Sequence, residues 1–209
     1  MSALKLVHYH APNTRSATIR WLFEELGVPH ELRVLNLRKG EHKTPEYLAI
    51  NPMGKVPTIV HGDTPVTEGA AIALYLADLF PEAGLAPKTS EPARGTYLRW
   101  IVFNQAAVEP AAMDLALKRD PGPAASLGYG SYDATIETLA GALAKGPYIL
   151  GDRFSAADVV VGSGVNWLLK FKLLPERPEF ASYAERMRSR PAFIRAAGKD
   201  AELAKSLES

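Results

Sequence analysis

Four short stretches of the chain concentrate residue types that do chemistry. Pro12-Asn13-Thr14-Arg15-Ser16 puts an amide, two hydroxyls and a permanent cation side by side. They lie between a short apolar run ending at Tyr9 and a helical pattern starting at Ser16. The carboxyl end of a strand, where a helix begins, is where α/β folds bind ligands, and polar groups there can stabilise a developing anion. The same cluster also suits a plain helix cap, since Asn, Thr and Ser are all favoured in that role. Val56-Pro57 opens a strand inside Asn51-Pro-Met-Gly-Lys-Val-Pro-Thr-Ile. A cis bond there would turn the main chain of Val56 outward to pair with an extended peptide; the alternative is a trans proline on an edge strand.

The third stretch, Thr67-Glu68-Gly69-Ala70-Ala71, is a polar turn into a helix. The first N–H groups of a helix lack intrahelical partners and attract a carboxylate. Glu68 beside them answers an ammonium, so this turn can hold both charges of an amino-acid head group; alternatively, Glu68 only complements the helix dipole. The fourth, Phe154-Ser155-Ala156-Ala157-Asp158, matches a capping box and reads as structural. It starts a buried helix on which Gly162, Ser163 and Gly164 are small enough for close packing.

These stretches need elements to position them. Leu4 to Tyr9 reads as a strand. Ile19, Leu22, Phe23 and Leu26 then fall at helical spacing, with Gly27 as C-cap. His30 to Leu37 returns to strand spacing, with Leu32, Val34 and Asn36 on one face, which makes a βαβ unit with parallel strands. A short helical piece follows around Pro45 to Ile50. Val56 to Val60 and Thr64 to Thr67 form an antiparallel hairpin around His61-Gly62-Asp63. A helix through Ile72, Tyr75, Leu76 and Leu79 closes this β-α-β-α-β-β-α domain at residue 80. Residues 81–92 carry Pro81, Pro87 and Pro92 and read as a linker. Residues 93–209 show only helical stripes: Leu98, Ile101 and Val102; Ile136, Leu139 and Leu143; Val160, Trp167, Leu168 and Phe171; Phe180, Tyr183, Ala184 and Met187. Trp100, Phe103 and Trp167 read as core or cleft wall.

Composition narrows the function. The 209 residues suffice for a sizeable core, and 47% hydrophobic with 22% charged residues is ordinary for a globular chain. A net charge of +1 argues against a nucleic-acid partner. No apolar run reaches membrane-spanning length, and the N-terminus does not read as a signal peptide, so a cytoplasmic protein is expected. Cysteine is absent, which excludes a protein thiol as nucleophile or metal ligand. The five histidines, at 8, 10, 30, 42 and 61, lack metal-ligand spacing, so no metal is expected.

Three segments in order resemble the cytosolic glutathione transferases over essentially the whole chain: Gly40-Glu-His-Lys-x-Pro-Glu-Tyr-Leu-x-Ile-Asn-Pro-Met-Gly-Lys-Val-Pro-Thr-Ile, Glu68-Gly-Ala-Ala-Ile-x-x-Tyr-Leu and Gly151-Asp-x-Phe-Ser-x-Ala-Asp. The resemblance implies a thioredoxin-like domain followed by an all-helical domain that carries the electrophile site. It implies glutathione as co-substrate, a small hydrophobic electrophile as the second substrate, and a homodimer. Val56 would pair with the cysteinyl part of glutathione, with Pro57 as the family's cis proline. Glu68 and Gly69 would hold the γ-glutamyl head, and His42 and Lys55 the glycyl carboxylate. Gly69 replaces the usual Ser, a lost hydrogen bond of about 0.5–1.5 kcal/mol.

The resemblance leaves the catalytic residue open. The loop is closer to the serine-type pattern than to the tyrosine-type pattern, for which Tyr9 lies close by. Counting back from Glu24-Glu25-Leu26-Gly27 sets Arg15 at the usual position and Ser16 next to it, so the candidates run Ser16, Arg15, Asn13, Thr14. Their task is physical. An unperturbed thiol with a pKa of about 8.5 is only roughly 3% thiolate at pH 7. Lowering that pKa by about two units takes roughly 2.7 kcal/mol of preferential stabilisation of the anion. Two rival functions share this fold: a glutathione-dependent reductase or isomerase, and a non-enzymatic binding or assembly module.

Overall fold

The computed structural model describes residues 5–207. They form two compact units, one of residues up to Ala83 plus those from Arg190 onward, the other Gly84–Ser189. Leu4, expected in the first strand, lies outside the described residues.

The first unit is built on a four-stranded mixed sheet. Strands β1 (Leu6–His10), β2 (Glu31–Val34), β3 (Thr58–His61) and β4 (Thr64–Val66) lie in the order β2-β1-β3-β4. β1 runs parallel to β2 and antiparallel to β3, and β3 with β4 is the expected hairpin. β1 is one of the two inner strands, and every one of its residues is buried. Its alternation sorts side chains to two faces. Val7 and Tyr9 join Tyr47 in one apolar cluster, while His8 and His10 point to the face that meets Ser16. Helix α1 (Ser16–Leu26) buries Ile19, Trp21, Leu22 and Phe23. It stops at Gly27, whose φ of 67° is the left-handed cap that glycine adopts without a Cβ clash. The short α2 (Pro45–Leu48) and α3 (Gly69–Leu79) complete the expected β-α-β-α-β-β-α order.

The second unit is helical, comprising α4 (Ala93–Phe103), α5 (Glu109–Ala116), α6 (Tyr132–Leu143), α7 (Ala156–Lys170) and α8 (Pro178–Arg188). A wide turn, Asn104–Val108, joins α4 to α5. Its core includes Tyr97, Ile101, Leu139, Phe180, Tyr183 and Met187. Of the expected α4 stripe only Ile101 is core; Leu98 is half-buried and Val102 is exposed. The capping box at Ser155 is present, and it does more than start α7. Buried Asp158 accepts from Ser155 N and Oγ at 2.9 and 3.1 Å, from Ile149 N at 2.7 Å and from Tyr183 Oη at 2.9 Å. One carboxylate thereby ties together the cap, the preceding loop and α8. Burial raises its pKa against the pull of those bonds, and burial beside Asp158 raises the Tyr183 phenol well above its ordinary value.

Two expected boundaries move. Only residues 81–83 of the expected linker stay with the first unit; from Gly84 the chain is part of the helical one. Leu85 is buried and its carbonyl accepts from Ala156 N, while Arg153 donates to the carbonyls of Gly84 and Ala86. The last helix, α9 (Pro191–Ser206), was expected in the helical domain but belongs to the first unit. The reason is complementary surface on α1. Trp21 meets Phe193 edge-on at 5.0 Å, and Arg190 forks onto buried Glu25 at 2.6 and 2.8 Å. Arg195 and Lys199 both pair with Glu24.

Candidate active site

Strand register brings the expected ligand residues to one end of the sheet. His8 faces Ile59 and Tyr9 faces Thr58, so the pairing continued by one residue sets His10 beside Pro57. Ile59 faces Val66 at the last pair of the β3–β4 ladder, so Thr67 and Glu68 leave β4 at the end of the sheet where Pro57 enters β3. The loop after β1, the entry to β3 and the exit from β4 therefore converge, with neighbouring chains about 4.8 Å apart.

The Val56–Pro57 bond is cis. Val56 precedes β3, and neither its N–H nor its C=O bonds another backbone group among the described residues. A buried polar cluster holds this segment. The Lys55 carbonyl accepts from Tyr47 Oη at 2.5 Å and from Asn51 Nδ2 at 2.9 Å. Asn51 also donates to Thr58 Oγ1 at 3.1 Å and accepts from Met53 N at 3.1 Å. Tyr47, Asn51 and Thr58 are all buried, and the bond between Asn51 and Thr58 is shielded from water. Gly54 sits at φ 59°, and a Cβ there would come within 2.7 Å of the His42 carbonyl, so glycine permits the His42 turn to close on this loop. His42 Nδ1 is buried without a partner, and the Lys55 side chain is exposed.

Glu68 is exposed and has φ 64° and ψ 118°, outside the regions that L-residues ordinarily occupy. Backbone of this kind costs about 1–3 kcal/mol and collects at ligand sites. Glu68 makes no capping bond with its side chain, so helix capping does not account for it. Gly69 follows as the first residue of α3.

The loop before α1 sorts the four catalytic candidates. Thr14 Oγ1 donates to the Ala11 carbonyl at 2.7 Å and accepts from Ser16 N at 3.2 Å. Ala17 N and Thr18 N are taken up by the carbonyls of Thr14 and Arg15. Ser16 is fully buried, and its hydroxyl lies 2.8 Å from His10 Nδ1 and 3.2 Å from His8 Nε2. The two hydroxyls are thus committed inside the fold, and Ser16, first among the candidates, faces the sheet. The reason is the rotation of α1: Ser16, Ile19 and Phe23 share the buried face. Asn13, at φ 58°, and Arg15 are the exposed members of the loop. Tyr9 lies on the opposite face of the sheet, where its hydroxyl accepts from Arg33 Nη1 at 3.1 Å.

The structure also gathers residues that spacing left apart. His8 has ring centroids 5.4 Å from His10 and 6.0 Å from His30, and His10 Nε2 lies 2.6 Å from Asp200 Oδ1 on α9. Burial, then the nearby His10, His30 and Arg20, holds His8 well below the ordinary histidine range, and burial also lowers His30. Asp200 is lowered because its bonds from His10 and Asn13 and the charges of His10 and Arg20 outweigh the opposing effect of burial. The alternation His8-x-His10 is the one sequence signal for this cluster; Asp200 is 190 positions away from His10 and carries none. Among the described residues no group of three or more His, Cys, Asp or Glu is placed to hold a metal ion.

Comparison with known proteins gives a consistent family. Residues 15–79 match the glutathione S-transferase N-terminal domain and residues 110–186 the C-terminal domain. Glutathione S-transferase F9 of Arabidopsis thaliana is 30% identical over 207 residues, spanning 91% of this chain and 94% of the relative. The crystal structure of a glutathione transferase from Methylococcus capsulatus superposes with a TM-score of 0.79 at 28% identity, covering 94% of this chain and 99% of the other. That of a glutathione transferase homolog from Sulfitobacter, with bound glutathione, gives 0.73 at 26% identity over 93% and 98%. With both domains matched in order, and a thioredoxin-like first unit joined to a helical second, the chain belongs to the glutathione S-transferase family.

Proposed function

We propose that the protein binds glutathione across the converging ends of β1, β3 and β4 and uses its thiolate to attack small apolar electrophiles. The open main chain of Val56 pairs with the cysteinyl residue, as an added strand would. Glu68 receives the γ-glutamyl ammonium and Gly69 N–H its carboxylate. His42 and Lys55 take the glycyl carboxylate, with the unpartnered His42 Nδ1 as one donor. The single observation that carries this reading is Glu68, exposed and held in a disfavoured backbone conformation just past the end of β4, the strand paired with β3.

The thiol then lies toward the loop before α1. Ser16 and Thr14 shape that loop, and the exposed Arg15 and Asn13 stabilise the anion, Arg15 by its charge and Asn13 by its amide. A charge-assisted hydrogen bond is worth about 1.5–3 kcal/mol, which covers the roughly 2.7 kcal/mol needed to lower a thiol pKa by about two units. The thiol proton passes to solvent. The sulfur lone pair forms the new bond to the electrophilic carbon, and the bond to the leaving group breaks with its electrons. The helical unit takes up the electrophile. With no cysteine in the chain, disulfide exchange on the protein itself has no sulfur to use.

The active form is a cytoplasmic homodimer engaged in detoxification. Met53 (65% exposed), Val102 (50%), Leu115 (49%) and Leu117 (51%) are apolar side chains that a partner would cover. Calorimetry with glutathione tests the site, and thiolate absorbance against pH tests the loop. Arg15→Ala is expected to raise the bound thiol's pKa by about one to two units, roughly 1.4–2.7 kcal/mol, with little change in affinity. An unshifted pKa in both Arg15→Ala and Asn13→Ala would refute the assignment of the loop.

A further inference from the structure

Asp200 reaches the loop before α1 through both carboxylate oxygens. Oδ1 lies 2.6 Å from His10 Nε2, and Oδ2 accepts from the Asn13 backbone N–H at 3.1 Å. A carboxylate only accepts, so Nε2 of His10 carries a proton. In the tautomer with Nε2 as the donor, Nδ1 is the acceptor, and the Ser16 hydroxyl at 2.8 Å donates to it. Ser16 Oγ in turn accepts from His8 Nε2 at 3.2 Å, which leaves His8 Nδ1 as a bare lone pair. His8 Nδ1 is indeed buried without a partner, and burial keeps this ring neutral. One carboxylate on the last helix thus orients a line of donors from α9 to β1, and it also fixes the amide of Asn13.

That amide matters because Asn13 is at φ 58°, a left-handed conformation that needs a reason to persist. A charged acceptor aimed at its N–H supplies one. We propose that Asp200 is a positioning residue for the thiol site: it holds Asn13 in the left-handed conformation and thereby sets where Asn13 and Arg15 present their side chains. This rests on the glutathione reading above. Arg20 lies close enough to offset the Asp200 charge, so the carboxylate can stay ionised behind a site that favours an anion. Glu24, pinned to Arg195 and Lys199, fixes α9 against α1 and so fixes Asp200.

The test uses Asp200→Asn, which keeps shape but can accept from only one of the two donors. Expected are a thiolate fraction of bound glutathione about three- to tenfold lower at neutral pH, kcat lower in proportion, and the KM for the electrophile unchanged. Affinity for S-methylglutathione, which has no thiol to ionise, is expected to stay within about twofold. Asp200→Glu, which restores both acceptor oxygens on a longer arm, is expected to recover part of the thiolate. Long-range proton–nitrogen NMR of the wild type is expected to show His8 and His10 both protonated at Nε2, with His10 changing tautomer in Asp200→Asn. A wild-type His10 protonated only at Nδ1 overturns the proposal even if the variants do not fold, and so does an unchanged bound-thiol pKa in folded Asp200→Asn. If the wild type fails to bind glutathione in calorimetry, the proposed site itself is wrong, and the histidine tautomers still report whether Asp200 holds the loop.

Discussion

Replacing Glu68 by glycine should make the fold more stable and the binding worse. Glu68 has φ 64° and ψ 118°, and its side chain is exposed with no capping bond. Holding a residue with a side chain in such backbone costs about 1–3 kcal/mol, which glycine avoids. Glycine adds about 0.5–1 kcal/mol of chain entropy lost on folding. The difference leaves a net stabilisation of up to about 2.5 kcal/mol, read as a higher urea midpoint at unchanged slope. Removing the carboxylate strips the ligand ammonium of its counter-charge, worth more than about 1.5 kcal/mol, so glutathione affinity should fall more than about tenfold. Glu68→Ala separates the two effects, because alanine keeps the backbone cost and loses the charge: stability should stay near wild type while affinity falls as in the glycine variant. A glycine variant less stable than wild type would show that the backbone at this turn is not strained. Unchanged affinity in both variants would mean that Glu68 serves only the dipole of α3.

Asn51→Ala removes three hydrogen bonds, to Lys55, Thr58 and Met53, and should cost about 1.5–4.5 kcal/mol in urea unfolding and weaken glutathione binding. Tyr47→Phe removes two hydrogen bonds, to the Lys55 carbonyl and with Thr58 Oγ1, and should cost about 1–3 kcal/mol, because both groups keep a bond from Asn51. Ser16→Ala strands a nitrogen on each of two buried histidines and should destabilise by about 2–4 kcal/mol, with a smaller effect on the bound thiol's pKa than Arg15→Ala. Stability should fall as pH drops through about 6.5, the ordinary histidine value. Both His8 and His30 have lowered values in the fold, so the unfolded chain binds the extra protons, at up to about 1.4 kcal/mol per pH unit for each ring. Urea midpoints at pH 7.5 and 5.5 check this, and a flat profile would contradict the burial of those rings. Light scattering should give about twice the 22.7 kDa chain mass if the exposed apolar side chains are covered by a second copy.

The sequence alone determined the order of the elements through residue 80 and four of the helices that follow, because these were written in local signals. Helical spacing from Ile19 to Leu26, Gly27 as C-cap, the turn at Gly62 and the capping box at Ser155 all depend on residues a few positions apart, and all four are present. The two turns proposed to bind the ligand were legible for the same reason: Val56-Pro57, whose bond is cis, and Glu68-Gly69 sit in short motifs whose chemistry is local. What depended on long-range packing was not legible. Whether Ser16 faces solvent or the sheet depends on the rotation of α1 against β1, and two histidines on β1 draw its hydroxyl inward. Tyr9 was close to the loop in sequence but faces away from α1, because successive residues of a strand point to opposite faces. The last helix shows the largest gap. Its pattern reads like any other amphipathic helix, and only the pairing of Arg190, Phe193, Arg195 and Lys199 with α1 decides that it joins the first unit and brings Asp200 to the loop before α1. A contact across 187 residues is set by the packed surfaces of two helices, and no local propensity encodes it.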